Sequence, residues 1–365
     1  MIFLLFISFI GWVLWSLYSL LSYRRVSVAG KTVVITGGSV GIGKHLALHF
    51  LRLGATVHVW DDNKEKLSQL SKEALLIPSP RPTKSANCDT EGLTETSANE
   101  LEGNDCLKTV VVDLSNRFHL HRLVKQVGTV HIVVNAALNV SSKAFLDHAD
   151  NAIERILHVN ALCPLILARA FLPAMLERRD GYFVTITDAN GLLGNASQPD
   201  FAASQWAAVG AHESIQMLIR ENGCCGKVRT TLLCPYNVVS SQPTLLRTPS
   251  PFSSSRVMNT ADAANTAEGQ SVNTIRRSRI LGYFLSIFRR PVTPEEAAEA
   301  CVWAITHGVE RLYIPYSLLF LTLFRFLPVP WFMWVISPST QSTNVETSKG
   351  NCPSESDSSR SSSEK

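Results

Sequence analysis

Eight residues set the main constraint on this chain. Thr36-Gly37-Gly38-Ser39-Val40-Gly41-Ile42-Gly43 lies between a β-branched run at 32–35 and a stretch of helical spacing at 43–53. Glycine has no Cβ, so the backbone there can turn tightly and approach a ligand closely. A helix that opens from such a turn offers free N–H groups and the positive end of its dipole, which suits a pyrophosphate. The alternation continues along the chain. Strand-like runs recur at 56–60, 109–112, 131–134, 182–187 and 228–234, with helical stretches between them. Strands separated by helices predict an α/β fold with a doubly wound parallel sheet. Val33-Val34-Ile35 and Ile132-Val133-Val134 are apolar on both faces, as a sheet covered by helices on both sides requires.

The second strand-like run ends in Trp60-Asp61-Asp62, with Asp61 18 residues beyond Gly43. A carboxylate there can accept from the adenosine ribose hydroxyls and would repel a 2′-phosphate, which favours NAD over NADP. Asp113, after the third run, is a candidate adenine contact. The candidate cofactor residues in this half are Gly37, Ser39, Gly41, Ile42, Gly43, Asp61 and Asp113.

The 365 residues are 45% hydrophobic and 18% charged, against about 25% charged in a typical soluble domain. Part of the excess is local. Residues 2–22 carry no charge, and Arg24 and Arg25 follow. Twenty-one residues at 1.5 Å rise span about 31 Å, enough for a bilayer core of about 30 Å. No basic segment precedes the run and no small-residue cleavage site closes it. The expectation is an uncleaved anchor over 1–25 with the body on the cytosolic side; a cleaved signal peptide is the alternative. In the cytosolic reading the sequons at Asn139 and Asn195 are chance matches. A second apolar block at 312–336, interrupted by Arg325, Pro328 and Pro330, is expected to lie against a membrane or in the core. The same two readings apply to 280–288, flanked by arginines.

Segments 78–105 and 241–279 are rich in small polar residues; the first reads as an inserted surface loop. The tail at 337–365 is Ser-rich and reads as disordered. The net charge of +4 is too small for nucleic-acid binding by bulk electrostatics. The eight cysteines show no CxxC spacing, so neither a metal site nor a disulfide framework is expected.

The spacing of Gly37, Gly41 and Gly43 resembles that of the short-chain dehydrogenases/reductases; the likeness extends over about 28–336, within an expected domain at 26–336. Ser27-Val28-Ala29-Gly30, Val59-Trp60-Asp61, Phe171-Leu172-Pro173-Ala174-Met175, Cys234-Pro235 and Leu312-Tyr313-Ile314-Pro315 are similar to its membrane-associated branch of retinol and 17-beta-hydroxysteroid dehydrogenases. The resemblance implies a single Rossmann-like domain with a substrate lobe, here 241–290. It also implies NAD(P)-dependent oxidation or reduction of lipophilic alcohols and ketones, and residence on endoplasmic reticulum or lipid droplets. Dimerisation through helices near 151–180 and 201–222 is implied too. Asn135, Pro235 and Ser240 join the cofactor candidates on this basis.

Family chemistry rests on Asn, Ser, Tyr and Lys. The tyrosine exchanges the hydroxyl proton; the lysine four residues later shares its helix face and lowers its pKa. Laid on this chain, Asn160 matches the asparagine, Asp188 stands at the serine position, Phe201 at the tyrosine and Gln205 at the lysine. Phe201 has no proton to exchange, which removes a contribution of about 10²–10⁴-fold. Gln205 can donate a hydrogen bond to ribose but brings no charge. An ionised Asp188 would oppose the negative oxygen that forms during oxidation. Leu138 replaces a family glycine. Tyr236, His158, Tyr182 and Asp188 are the residues from which a relocated base would have to come. The expectation is a membrane-anchored pseudoenzyme. The alternatives are an active oxidoreductase with a relocated base and a non-enzymatic lipid-droplet or membrane scaffold.

Overall fold

The computed structural model describes residues 11, 26–77, 106–141, 143, 145–192, 194–195, 198–236, 238, 292–316 and 318. The apolar run 2–22 apart from Gly11, segments 78–105 and 241–290, the block beyond Leu318 and the tail 337–365 lie outside these residues, and so do the expectations attached to them.

Seven strands form one parallel sheet: β1 Thr32–Thr36, β2 Thr56–Asp61, β3 Leu107–Val111, β4 Ile132–Asn135, β5 Gly181–Ile186, β6 Val228–Pro235 and β7 Arg311–Ile314. Their order is β3-β2-β1-β4-β5-β6-β7. The order reverses between β1 and β4, so the connections leaving them part to opposite faces and open a crevice at the carboxyl ends. The doubly wound expectation holds, with one strand added. β7 comes from the start of the apolar block at 312–336. Leu312 and Tyr313 are buried and pair with Leu233 and Cys234 of β6, so these residues belong to the sheet and not to a membrane-facing surface. A short apolar strand at the head of a longer apolar block has no periodicity of its own to reveal it.

The helices are α1 Gly41–Arg52, α2 Lys64–Leu75, α3 Arg117–Val127, α4 Asp150–Leu157, α5 Cys163–Arg178, α6 Pro199–Glu221 and α7 Pro294–His307. One face of the sheet packs Leu46, Phe50 and Leu51 of α1, Leu67 and Leu70 of α2, and Ala298, Cys301 and Ile305 of α7. The other packs Leu120 of α3, Leu167, Phe171 and Met175 of α5, and Ile215 and Ile219 of α6. The helices start where their apolar spacing meets a stop signal. Asn63 caps α2, Asn116 caps α3, and Thr293 with Glu296 forms a capping box on α7. Helical residues run from Asp150 to Arg178 through a π turn at His158–Leu162; among the described residues this is the one helix long and apolar enough to cross a membrane. Half of its apolar window is buried in the fold, as the core helix of a two-faced sheet requires.

The glycine loop meets the β4 end backbone to backbone. A Cβ on Gly37 would lie 2.4 Å from the Cα of Ala137, and one on Gly43 would lie 2.3 Å from the carbonyl oxygen of Gly37. Gly37 and Gly41 both have positive φ, but a Cβ on Gly41 meets nothing within 4 Å. Gly37→Ala therefore combines left-handed strain with a clash and should destabilise by about 3 kcal/mol. Gly41→Ala carries the strain alone, about 1 kcal/mol. Urea denaturation of both variants checks this; equal losses would contradict the packing described.

Candidate active site

The first helical turn of α1 begins the crevice. Its N-cap, Val40, gives no side-chain cap to the free N–H groups, and Gly41 leaves its outer side open. This end of the helix fits a pyrophosphate. Ser39 and Gly43 are buried, and Ile42 is partly buried. Asp61, at the tip of β2, is buried; its Oδ2 accepts from the Ser39 N–H at 3.0 Å and its Oδ1 from the Asn63 N–H at 3.2 Å. The carboxylate is thus held against the glycine loop by two backbone donors, with acceptor capacity left for a ribose hydroxyl.

Asp113 lies beyond β3 and is already engaged. Its Oδ1 accepts from the backbone and hydroxyl of Ser115, and its Oδ2 accepts from Arg155 at 3.1 Å. Burial pushes Asp113 up, but the bonds from Ser115 and Arg155 outweigh it and hold the carboxyl below the usual range. The same guanidinium reaches Asp62 at 3.3 Å. Burial first, then neighbouring Asp61, lifts Asp62 above the usual range against the pull of Arg155. Arg155, from α4, therefore ties together the tips of β2 and β3. Sequence reasoning missed it, because nothing local marks a residue whose partners lie 42 and 93 positions away.

Asn135 is buried and accepts from the Thr36 hydroxyl at 2.9 Å; its side chain joins the ends of β1 and β4. Pro235 ends β6 at the same edge. Ser240 lies outside the described residues. Leu138 is 40% exposed.

The four residues expected at the family's catalytic positions, Asn160, Asp188, Phe201 and Gln205, lie together. Asn160 is buried in the π turn. It donates to the Asn139 carbonyl at 2.8 Å and the Ser204 hydroxyl at 2.9 Å, and accepts from the Asn139 N–H at 2.7 Å. These bonds fix the loop after β4 to α6. Phe201 and Gln205, both buried, lie in α6. Gln205 Oε1 accepts from the Asp188 N–H at 2.8 Å. Where a lysine would reach out with a charge, this amide secures the turn after β5. Gly191 sits so close that a Cβ there would come within 2.9 Å of the Gln205 carbonyl oxygen.

Asp188 caps the short turn Ala189–Gly191, and its Oδ1 accepts from the Asn190 backbone at 2.8 Å and side chain at 2.6 Å. Burial pushes its carboxyl up to about 6, against the lowering effect of the Asn190 bonds. At neutral pH the group is still mostly ionised, so its charge would oppose an oxyanion formed beside it. Tyr182, at the start of β5, bonds Thr231 at 2.8 Å inside the fold, and His158 is exposed. Tyr236 is buried just after β6. Beside Phe201, a buried pair escaped sequence reasoning: His148 Nδ1 and Asp200 Oδ2 lie 2.7 Å apart. His148 Nε2 and Asp200 Oδ1 have no protein partner. The thiols of Cys163, Cys234 and Cys301 are pushed up to about 12 by burial, so they pack as apolar groups.

Residues 31–97 and 83–246 match the family model described as short chain dehydrogenase. Epidermal retinol dehydrogenase 2 of Mus musculus is 34% identical over 223 residues, 59% of this chain and 63% of its own length. Retinol dehydrogenase 10-B of Danio rerio is 32% identical over 219 residues, 59% of this chain and again 63% of its own. The chain thus spans less than two thirds of these relatives. Among solved structures, a short chain dehydrogenase/reductase from Burkholderia phymatum in complex with NAD superposes with a TM-score of 0.58 at 20% identity, covering 82% of this chain and 94% of its own. A putative NAD(P)-dependent gluconate 5-dehydrogenase from Beutenbergia cavernae gives 0.56 at 21%, covering 79% and 96%. Both carry the same fold.

The raised carboxyl of Asp188 makes a testable difference. The folded protein holds this proton more tightly than the unfolded chain, so ionising it costs stability as pH rises through about 6. Asp188→Asn removes that cost and leaves an acceptor for Asn190. The variant should be more stable than the parent by about 2 kcal/mol at about pH 7.5, with the gap closing towards about pH 4. His58 and His212, pushed down to about 4 and about 3 by burial, are common to both proteins and cancel. Denaturation at several pH values measures the gap; a pH-independent gap would contradict the assignment.

Proposed function

The chain belongs to the short-chain dehydrogenase family, and from that premise we propose that it is a membrane-anchored member whose crevice takes NAD but whose hydride-transfer chemistry is impaired. One observation carries the reading. The position that should hold a charged lysine is a buried glutamine committed to the Asp188 backbone, and the position that should exchange a proton is a buried phenylalanine.

The residues fit the dinucleotide unequally. The open start of α1 suits the pyrophosphate, and Asp61 is held where it can accept from ribose. With Asp62 beside it, a 2′-phosphate would meet two carboxylates, so NAD is the favoured cofactor over NADP. NAD, when bound, supplies the hydride acceptor. On the protein side, Gln205 can offer at most the NH₂ end of its amide to the nicotinamide ribose, and Phe201 excludes water without moving a proton. Asn160 positions Ser204 and the loop after β4. The retinol dehydrogenases named above support a lipophilic alcohol or aldehyde, of retinoid or steroid type, as the ligand class. They also support residence on endoplasmic reticulum or lipid droplets through the apolar run at 2–22. Exposed Leu157, Leu162, Leu165, Met217 and Leu218 on the outer sides of α4 to α6 support a homodimer. A second reading rests on Asp188, whose carboxyl at about 6 lies in the range of a general base near neutrality.

Restoring the family groups tests the proposal. Protein carrying Asp188→Ser, Phe201→Tyr and Gln205→Lys together should oxidise retinol with NAD about 10²-fold or more faster than the parent. A parent already as fast as the triple variant would overturn the pseudoenzyme reading. If that turnover also vanished in Asp188→Asn and rose with pH through about 6, the relocated-base reading would replace it.

A further inference from the structure

Arg155 stands on α4, which follows β4, but its guanidinium is bonded at the tips of β2 and β3. Nη1 donates to Asp113 Oδ2 at 3.1 Å and to the Ser115 hydroxyl at 3.2 Å, and Nη2 donates to Asp62 Oδ2 at 3.3 Å. The side chains of Arg155, Asp62 and Asp113 are 41%, 61% and 43% exposed. Ion pairs this wet contribute little to folding. Stability therefore does not account for two carboxylates gathered round one guanidinium.

Their place in the sheet suggests another task. β1, β2 and β3 are neighbours in that order. The loop after β1 suits a pyrophosphate and Asp61, at the tip of β2, suits a ribose, so the base falls next to the tip of β3. Asp61 pairs with Val111, and the Val112 N–H still donates to the Asp61 carbonyl at 2.8 Å. Asp113 follows, two residues and at most about 7 Å beyond Val111.

A carboxylate offers about four acceptor sites. On Asp113, Oδ1 takes the Ser115 N–H at 2.9 Å and the Ser115 hydroxyl at 2.7 Å, and Oδ2 takes Arg155. Among the described residues one site remains, on Oδ2. Arg155 holds the other lone pair of that oxygen and so fixes the direction of the free one. Burial raises the carboxyl, but the bonds from Ser115 and Arg155 hold it below the usual range, so the free site is an acceptor at neutral pH. A single acceptor of fixed direction suits one N–H. Adenine offers that donor in its 6-amino group, whereas a 6-oxopurine presents a carbonyl oxygen at the same place.

We propose that Arg155 is the positioning residue of the base end of the crevice: by holding Asp113 Oδ2 it leaves one acceptor directed at the amino group of a 6-aminopurine nucleotide, which selects adenine over 6-oxopurines. This role rests on the nucleotide crevice proposed above. Ser115 serves the same end from the other side, by holding Oδ1.

The test titrates the full-length protein with NADH and with its hypoxanthine analogue, deamino-NADH, following nucleotide fluorescence. The parent should bind NADH about 10-fold or more tightly than the analogue, the worth of one hydrogen bond to a charged group. Arg155→Met should cut that preference by about 3-fold or more, and Asp113→Asn by at least as much. Adding Arg155→Met to Asp113→Asn should cut it no further, because the arginine acts through the carboxylate. A general loosening of the site would weaken both nucleotides alike and leave the ratio unmoved. Thermal unfolding reads whether each variant folds, and Arg155→Gln takes the place of a methionine variant that does not. A parent without preference, or a preference that survives loss of Arg155, overturns the positioning role and leaves the nucleotide crevice standing. A parent that binds neither nucleotide at millimolar concentration overturns both.

Discussion

Gly37 and Gly43 lie where backbone meets backbone, with no space for even one methyl group. That contact brings the loop after β1 against the end of β4, at the point where strand order reverses. The open start of α1, the placement of Asp61 and the crevice at the carboxyl edge all follow from it. Asp61 reinforces the arrangement by accepting from Ser39 within the loop. The proposed adenosine side of the site therefore rests on main-chain geometry.

The catalytic side has no such protection, since its chemistry depends on the ends of three side chains. On the proposed reading, the side chains at the corresponding positions 188, 201 and 205 serve structural tasks instead. Gln205 holds the turn after β5 through the Asp188 N–H, Asp188 caps that turn through Asn190, and Phe201 fills core. Gln205 and Asp188 support one another. A lysine at 205 would lose the amide oxygen that Asp188 N–H now uses, and a serine at 188 would lose the carboxylate that Asn190 binds. On that reading, the crevice is kept while the reaction centre becomes part of the scaffold.

Much of this was legible from the chain. The β-branched runs around Val33, Val57 and Val133 announce a sheet buried on both faces, and the glycine spacing announces the tight turn between β1 and α1. The helix that carries Phe201 and Gln205 was readable from the alanine-rich stretch around them. What stayed hidden depends on distance in space. Leu312 and Tyr313 gave no sign of forming a strand, because the apolar stretch around them obscures any period of two. Arg155 and the His148–Asp200 pair join positions tens of residues apart. Asp188 was recognisable as a misplaced charge, but the bonds from Asn190 and the burial that lifts its pKa belong to the folded turn.

The central claim is a crevice that holds a nicotinamide nucleotide without using it. NADH fluorescence in a stoichiometric mixture of the full-length protein, NADH and all-trans-retinal reads both halves at once. The account predicts that the protein enhances NADH emission and that the enhanced signal persists after retinal is added. Loss of that signal through reduction of retinal, as rapid as in a protein carrying Ser, Tyr and Lys at these positions, would contradict the account, and so would the absence of any enhancement at millimolar NADH.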